Sequence, residues 1–430
     1  MASAKSTMAK ATFHLPIEIT LEILSRLPVK SLLRFKSVCK NWNALIKTPD
    51  FISKHLRTHP TRGSSYLLVI ARNHETQNYA MSLVNDGFGN GPIDLDFPFL
   101  NGRYYLSIAG ICNGLVCINL SYFGYPLVIC NPSTRQLREI PNSAWNWLDE
   151  SYNGKLCVKR ESFGFGFHPS ANDYKLIRIL FYSIAISKHN IRKVMKKHNK
   201  HNFRADLYSM STDTWTEIDV NKLSLFFGEI NVHWEGDDYD YAEYADLVQI
   251  VGSSALAVLN GVFYWPAREF PTNQVIVMSY DMGDEVFRKI RAPACFDGNW
   301  NKKETNWRFT ELKDNLALFI YPNGKCLDVW VLNEDQSSWT NPFKVESFSR
   351  IANNVGSGQS GEMTVLGFAK NGELVVTNHK VSGDLKLFLY DPKTRETTDL
   401  YFGLVPFPSS ILLLKGTLFP VMRPNEILLN

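Results

Sequence analysis

The sequence predicts a small all-α module at the N-terminus followed by a large all-β domain, a β-propeller of about six blades. Three observations predict it. Apolar residues between Phe13 and Leu56 recur at helical spacing; from about Ser64 onward the apolar runs are short and punctuated by Asn, Asp, Gly, Pro and Thr; and one kind of hairpin recurs six times.

The helical module opens at Leu15-Pro16, with proline where a helix tolerates it best. Ile19, Ile23 and Leu27 recur every four residues, and Ile17, Leu21 and Leu24 add a second row, so the apolar surface is wider than one stripe. Pro28 stops that helix, and Ser31 is placed to cap a second, short one carrying Leu32, Leu33 and Phe35. A third carries Val38, Cys39, Trp42, Leu45 and Ile46 as far as Thr48-Pro49, and a fourth carries Phe51, Ile52 and Leu56. Four short helices enclose too little interior to bury all these side chains, so some of the apolar surface is expected to face a partner.

The β region is expected over residues 64–425, after a polar tail at 1–12 and the helical module at 13–58. Its hairpins pair 67–70 with 79–84, 127–130 with 137–140, 205–209 with 214–218, 275–280 with 285–290, 327–332 with 339–345, and 385–390 with 396–400. Apolar segments precede most of them, which gives the strand spacing of propeller blades. A β-sandwich would also satisfy the alternation, but recurrence of one hairpin type favours the propeller. Pairing of the C-terminal residues after Leu412 with the start of the β region would close the ring and remove its edges.

Composition excludes several classes. The chain has 430 residues, 45% hydrophobic, with a net charge of +4, so no general affinity for nucleic acid is expected. No stretch is long and apolar enough to span a membrane, and Met1 to Thr12 lacks the apolar core of a signal peptide. The seven cysteines are odd in number and form no CxxC pair, which fits a reducing compartment, cytoplasmic or also nuclear, and buried thiols at Cys112 and Cys117.

Little in the chain points to catalysis. Gly356, Gly358 and Gly361 fit GxGxxG but precede a strand-like run rather than a helix, so a loop is expected. His189, His198 and His201 crowd one segment without cysteine or carboxylate at zinc spacing, and neither GxSxG nor HExxH occurs. No catalytic, cofactor or metal site is expected. Two insertions carry charge: residues 188–204 hold seven Lys and Arg, and residues 235–246 hold six carboxylates with three interleaved tyrosines. Each reads either as a solvated loop or as a substrate-selecting element, and the basic one also as a nuclear localisation signal. Asp237, Asp238, Tyr239, Asp240, Tyr241 and Tyr244 are the candidate substrate contacts, suited to a basic partner.

Residues 13–56 resemble the F-box through Leu15-Pro16, Ile19, Ile23-Leu24, the run from Leu27-Pro28 to Phe35, and Val38-Cys39-Lys40-Asn41-Trp42. The remainder resembles the plant F-box-associated, kelch-like domain. That likeness rests on Cys112-Asn113-Gly114-Leu115, Asn131-Pro132-Ser133-Thr134-Arg135, Gly164-Phe165-Gly166-Phe167, Asp213-Thr214-Trp215 and Leu259-Asn260-Gly261-Val262, in wording nearest to S-locus F-box proteins. The resemblance implies an adaptor in an SCF-type ubiquitin ligase that binds a Skp1-like adaptor and, through it, cullin. In the S-locus branch the implied substrate is a basic pistil ribonuclease. The implied adaptor contacts are Leu15, Pro16, Ile19, Leu24, Pro28, Leu32, Leu33, Val38 and Trp42. A scaffold acting outside any ligase, an adaptor for turnover of a defence or hormone component outside self-incompatibility, and an enzyme carried on a propeller are the alternatives.

Overall fold

The fold is described from a computed structural model, which covers residues 15–58, 65–72, 76, 78–85, 93–100, 105–120, 126–143, 155–186, 203–219, 230–234, 240–244, 248–250, 257–269, 272, 274–293, 305–312, 315–322, 326–333, 335–336, 338–346, 362–368, 373–379, 385–400 and 408–415. The expected tail at 1–12, the three crowded histidines and the glycine run at 356–361 lie outside these residues.

Four short helices come first: α1 (Ile17–Ser25), α2 (Val29–Phe35), α3 (Lys40–Ile46) and α4 (Pro49–Thr58). Pro16 and Pro28 occupy the cap positions of α1 and α2, where a fixed φ leads into the first turn and the missing N–H costs nothing. Ser31 therefore lies inside α2 and does not cap it. Cys39 caps α3, its Sγ accepting from the Trp42 N–H at 3.4 Å. Leu24, Val29, Leu32, Ile46, Phe51 and Ile52 form the buried centre of the bundle. His55 is buried beside Phe51, its Nε2 at 3.0 Å from the Leu27 carbonyl.

Six antiparallel sheets follow, and they are the blades of a propeller. The first contains β1 (Ser65–Arg72), β2 (Tyr79–Asn85) and β3 (Ile93–Leu95); the second β4 (Ser107–Cys112), β5 (Leu115–Asn119), β6 (Leu127–Asn131) and β7 (Gln136–Ile140). The third contains β8 (Lys155–His168), β9 (Asp173–Ile186), β10 (Phe203–Ser209) and β11 (Thr214–Ile218), with β12 (Ile230–Trp234) and β13 (Asp240–Tyr244) added to it. In the fourth, β14 (Val248–Ile250) and β15 (Ala257–Leu259) share one edge of β16 (Val262–Glu269), followed by β17 (Gln274–Asp281) and β18 (Val286–Arg291). The fifth is β19 (Thr305–Leu312), β20 (Asn315–Pro322), β21 (Cys326–Leu332) and β22 (Trp339–Glu346); the sixth is β23 (Glu362–Phe368), β24 (Leu374–His379), β25 (Leu385–Tyr390) and β26 (Thr397–Leu400).

Strand β27 (Pro408–Lys415) closes the ring by pairing with β1, Leu68 opposite Leu412, so the first blade takes its innermost strand from the C-terminal end of the fold. The closure begins a few residues before the expected position. All six expected hairpins form; the first supplies the middle strands of its blade because β27 lies inside it.

The recurring wording has physical causes. Asn113-Gly114 and Asn260-Gly261 all have positive φ, the two-residue geometry that joins β4 to β5 and β15 to β16. Three outer hairpins share a turn in which an Asn or Asp at the strand end folds its side chain over the loop. Ser133 and Thr134 N–H donate to Asn131 Oδ1 at 2.9 and 3.2 Å, Gly283 and Asp284 N–H to Asp281 Oδ1 at 2.8 and 3.2 Å, and Lys393 N–H to Asp391 Oδ1 at 2.8 Å. Arg135, Glu285 and Arg395 then take the left-handed position that ends the loop.

Between blades the sheets pack face to face. Leu68 and Val116 share one buried cluster, as do Leu115 and Phe163, Ile177 and Phe263, Val275 and Leu318, and Phe319 and Val376 in the others. Two tryptophans at the start of outer strands tie neighbours together: Trp215 Nε1 donates to the Pro141 carbonyl at 2.7 Å and Trp339 Nε1 to the Arg291 carbonyl at 2.8 Å. Nearer the axis, Trp265 Nε1 donates to the Phe163 carbonyl at 2.8 Å. The glycines of β4 and β8 permit close approach there. A Cβ on Gly110 would lie 2.8 Å from the Phe165 Cβ and 2.9 Å from its backbone nitrogen.

Candidate docking surface

The bundle leaves much of its apolar surface uncovered. Among the described residues seven large hydrophobic side chains are exposed, and five of them, Leu15, Ile17, Ile19, Ile23 and Val38, belong to the helical module. On α1, Leu21 and Leu24 face the interior while Ile19 and Ile23, four residues apart, form an apolar ridge on the opposite side. Ile19 is 47% and Ile23 48% exposed, values far above those of the bundle core.

The expected contacts divide accordingly. Leu15, Pro16, Ile19, Pro28 and Val38 are exposed, and Leu33 and Trp42 are half-buried against the core. Leu24 and Leu32, at 1% and 0% exposure, are interior side chains that shape the surface from beneath. Ile17 and Ile23 belong to the exposed set although the pattern did not single them out as contacts; the helical wheel placing Ile23 beside Ile19 is the signal that finds it.

Charge surrounds the ridge. Glu22 accepts from Arg26 Nε at 3.0 Å and pairs with Lys54 at 2.8 Å; the Lys54 and Arg26 bonds hold its carboxyl below the usual range. Lys30, Arg34 and Lys40 are exposed, and Lys36, half-buried beside Lys47, has its ammonium pKa lowered by burial and by that neighbouring charge. An apolar ridge with a charged rim is the arrangement of a surface that docks a protein partner.

The candidate substrate contacts fall on the third blade. Asp240, Tyr241 and Tyr244 lie on β13, which pairs with β12 and with residues 184–186 of β9; Asp237, Asp238 and Tyr239 lie outside the described residues. The expectation of a loop at 235–246 is thus corrected over Asp240–Tyr244, which form a strand paired with β9. Of the basic insertion only Phe203 and Arg204 are described, at the start of β10. Arg204 Nε donates to Asp206 Oδ1 at 2.9 Å.

Among the described residues no group of three or more His, Cys, Asp or Glu is placed to hold a metal ion, and no helix is long and apolar enough to cross a membrane. Cys117 and Cys130 are buried thiols whose pKa burial pushes up, whereas Cys112 is half-buried.

A helical docking module ahead of a closed six-bladed propeller defines the class of protein. The F-box domain family matches residues 13–54, and two family models, each described as an F-box associated beta propeller domain, match residues 93–251 and 238–405. The chain belongs to the F-box proteins that carry an F-box associated propeller. Among its relatives in Arabidopsis thaliana, F-box protein At3g07870 is 24% identical, covering 94% of this chain and 91% of that protein. F-box/kelch-repeat protein At3g23880 is 26% identical over 76% and 78%, and F-box protein CPR1 26% identical over 77% and 73%.

Proposed function

We propose that this chain is the substrate-recognition subunit of an SCF-type (Skp1–cullin–F-box) E3 ubiquitin ligase. Residues 13–58 form its adaptor-binding unit and residues 64–425 its substrate-binding unit. The observation that carries the reading is the exposed ridge of Ile19 and Ile23, together with the exposed side chains of Leu15, Ile17 and Val38, on a module matched by the F-box family. A Skp1-like adaptor covers that ridge, with Pro16, Pro28, Leu33 and Trp42 at its margins and Leu24 and Leu32 beneath.

Such a subunit needs no catalytic group. It raises the effective concentration of a substrate lysine near a ubiquitin-charged enzyme held elsewhere in the complex. The substrate proposed is a basic protein, supported by the carboxylates of residues 235–246, and the likeness to S-locus F-box proteins nominates the pistil ribonucleases as the first to assay. Co-purification of the full chain with a Skp1-like adaptor and cullin tests the docking half. Asp at both Ile19 and Ile23 should abolish it without changing the melting temperature, and retention of the adaptor by that variant sinks the proposal. Transfer of ubiquitin to a pistil ribonuclease in the reconstituted complex tests the substrate.

A further inference from the structure

The helical module carries a run of positive charge that the apolar ridge does not explain. From Arg26 to Lys47 the chain has six lysines and arginines and no carboxylate. Glu22, ahead of the run, pairs with Arg26 and with Lys54. The charge is concentrated where α2 meets α3. Lys36 is half-buried there, and burial together with the charge of Lys47 lowers its ammonium pKa. Like charges held this close oppose folding, and an anion added beside them would relieve the repulsion.

One hydroxyl stands within this run. Among the seven described Ser and Thr of the module, Ser37 alone is exposed. It lies in the α2–α3 turn, with Arg34 three residues before it, Lys36 beside it and Lys40 three residues after it, and Arg34 and Lys40 are exposed as well. An arginine at that distance ahead of a hydroxyl is a charge pattern that the acidic substrate groove of a protein kinase selects. The turn is held by few bonds. Ser37 Oγ–H and N–H both donate to the Arg34 carbonyl, at 2.7 and 3.2 Å, and Val38 N–H donates to the Phe35 carbonyl at 3.1 Å. Opening this one turn frees residues 36–39 for a groove, while Phe35 and Trp42, with ring centroids 5.5 Å apart, keep α2 and α3 together.

We propose that Ser37 is a phosphorylation site through which an arginine-directed protein kinase releases the adaptor. In the transfer, Ser37 Oγ attacks the γ-phosphorus of a nucleoside triphosphate held by the kinase. The new O–P bond replaces the bond to the bridging oxygen, the nucleoside diphosphate leaves, and the hydroxyl proton passes to the kinase's base. The phosphoryl group brings a charge of about −1.5 to −2 at pH 7. Arg34, Lys36 and Lys40 hold that charge at the surface of the module, next to Val38, which is 60% exposed. The inference rests on the reading that an adaptor covers Val38: a hydrated dianion loses water when the apolar contact beside it is buried, and that cost opposes docking. Modification also removes the O–H that donates to the Arg34 carbonyl, so the turn presenting Val38 loses a bond.

The test treats the full chain with ATP and a recombinant kinase selective for Arg three residues before the acceptor, and locates the phosphate by mass spectrometry of proteolytic peptides. Ser37 should be modified, Arg34→Ala should slow the transfer about tenfold, and Ser37→Ala should abolish it. The modified chain should bind a Skp1-like adaptor about tenfold more weakly at an unchanged melting temperature, whereas the Ser37→Ala chain should keep its affinity through the same treatment. A phosphorus NMR titration reads the cations separately: the phosphoserine should ionise below its ordinary second pKa of about 6, and Lys36→Gln with Lys40→Gln should bring it back. The proposal is overturned if the kinase leaves Ser37 of the chain unmodified, if the modified chain binds the adaptor as tightly as before or more tightly, or if the phosphate titrates at its ordinary value. It is also overturned if affinity falls only in step with melting temperature, which would make the modification a lesion in the fold. Failure of the unmodified chain to bind any Skp1-like adaptor would defeat the ligase reading instead, and the kinase reaction and the titration would then still decide whether Ser37 is a site.

Discussion

Replacing both Ile19 and Ile23 by Ala separates docking from folding. Burying an isoleucine completely is worth about 1.5–3 kcal/mol. Each of these side chains keeps nearly half its surface exposed, at 47% and 48%. A partner that covers the remainder gains about 1 kcal/mol from each, so the double variant should bind the adaptor with a Kd roughly thirty-fold weaker, about 2 kcal/mol. Neither side chain belongs to the buried core cluster of the bundle, so folding stability should change by no more than about 0.5 kcal/mol. Leu32→Ala supplies the contrast: Leu32 is fully buried, and its truncation should cost about 2–5 kcal/mol of stability. Titration calorimetry against the adaptor and urea denaturation, run on both variants, read the two quantities independently. Unchanged adaptor affinity in the double alanine variant, or a loss of affinity that tracks a loss of stability, would refute the assignment of this ridge.

Three further outcomes concern the propeller. Trp339→Phe removes the indole donor 2.8 Å from the Arg291 carbonyl at the seam between the fourth and fifth blades, and urea denaturation should show a loss of about 1 kcal/mol. Gly110→Ala forces a methyl against the Phe165 backbone, and its cost of about 1–3 kcal/mol should appear as a lower melting temperature without loss of adaptor binding. Acidification should weaken the fold: burial raises the Asp173 carboxyl, but bonds from Ser209, Lys175 and Ser211 outweigh it and leave its pKa lowered, and Asp391 is lowered by the Lys393 N–H. Such groups stabilise above the unfolded value, about pH 4, and lose that contribution as pH falls through their folded values. Glu161 runs oppositely, because burial raises its pKa despite Arg178, so its contribution fades as pH rises. Denaturation from pH 7 to pH 2 should therefore show a decline that Asp173→Asn makes shallower.

The fold was legible because its repeats are local. An Asn or Asp before a tight loop and an Asn-Gly pair between short apolar runs are each fixed by turn geometry within a few residues. The helical start at Val29 was misplaced because Ser31 and Pro28 compete as caps, and the proline's fixed φ wins. The hairpin of β12 and β13 was illegible for a different reason. Asp240–Tyr244 carries alternate acids and tyrosines, a pattern that reads as a solvated loop, and it becomes a strand only because β9 runs past its blade and offers an edge to pair with. That cause lies more than fifty residues away in the chain. The docking ridge was half legible: helical spacing identified the apolar surplus on α1, but only packing shows that Leu24 and Leu32 are spent on the interior while Ile19 and Ile23 are not.

The two parts of the chain resolve their surfaces in opposite ways. Pairing β1 with β27 joins the two ends of the propeller in one blade, so the ring acquires stability from its own closure. Four short helices have no comparable device. Their core is centred on six side chains, and Ile17, Ile19 and Ile23 of α1 and Val38 of the α2–α3 turn stay in water unless another protein covers them.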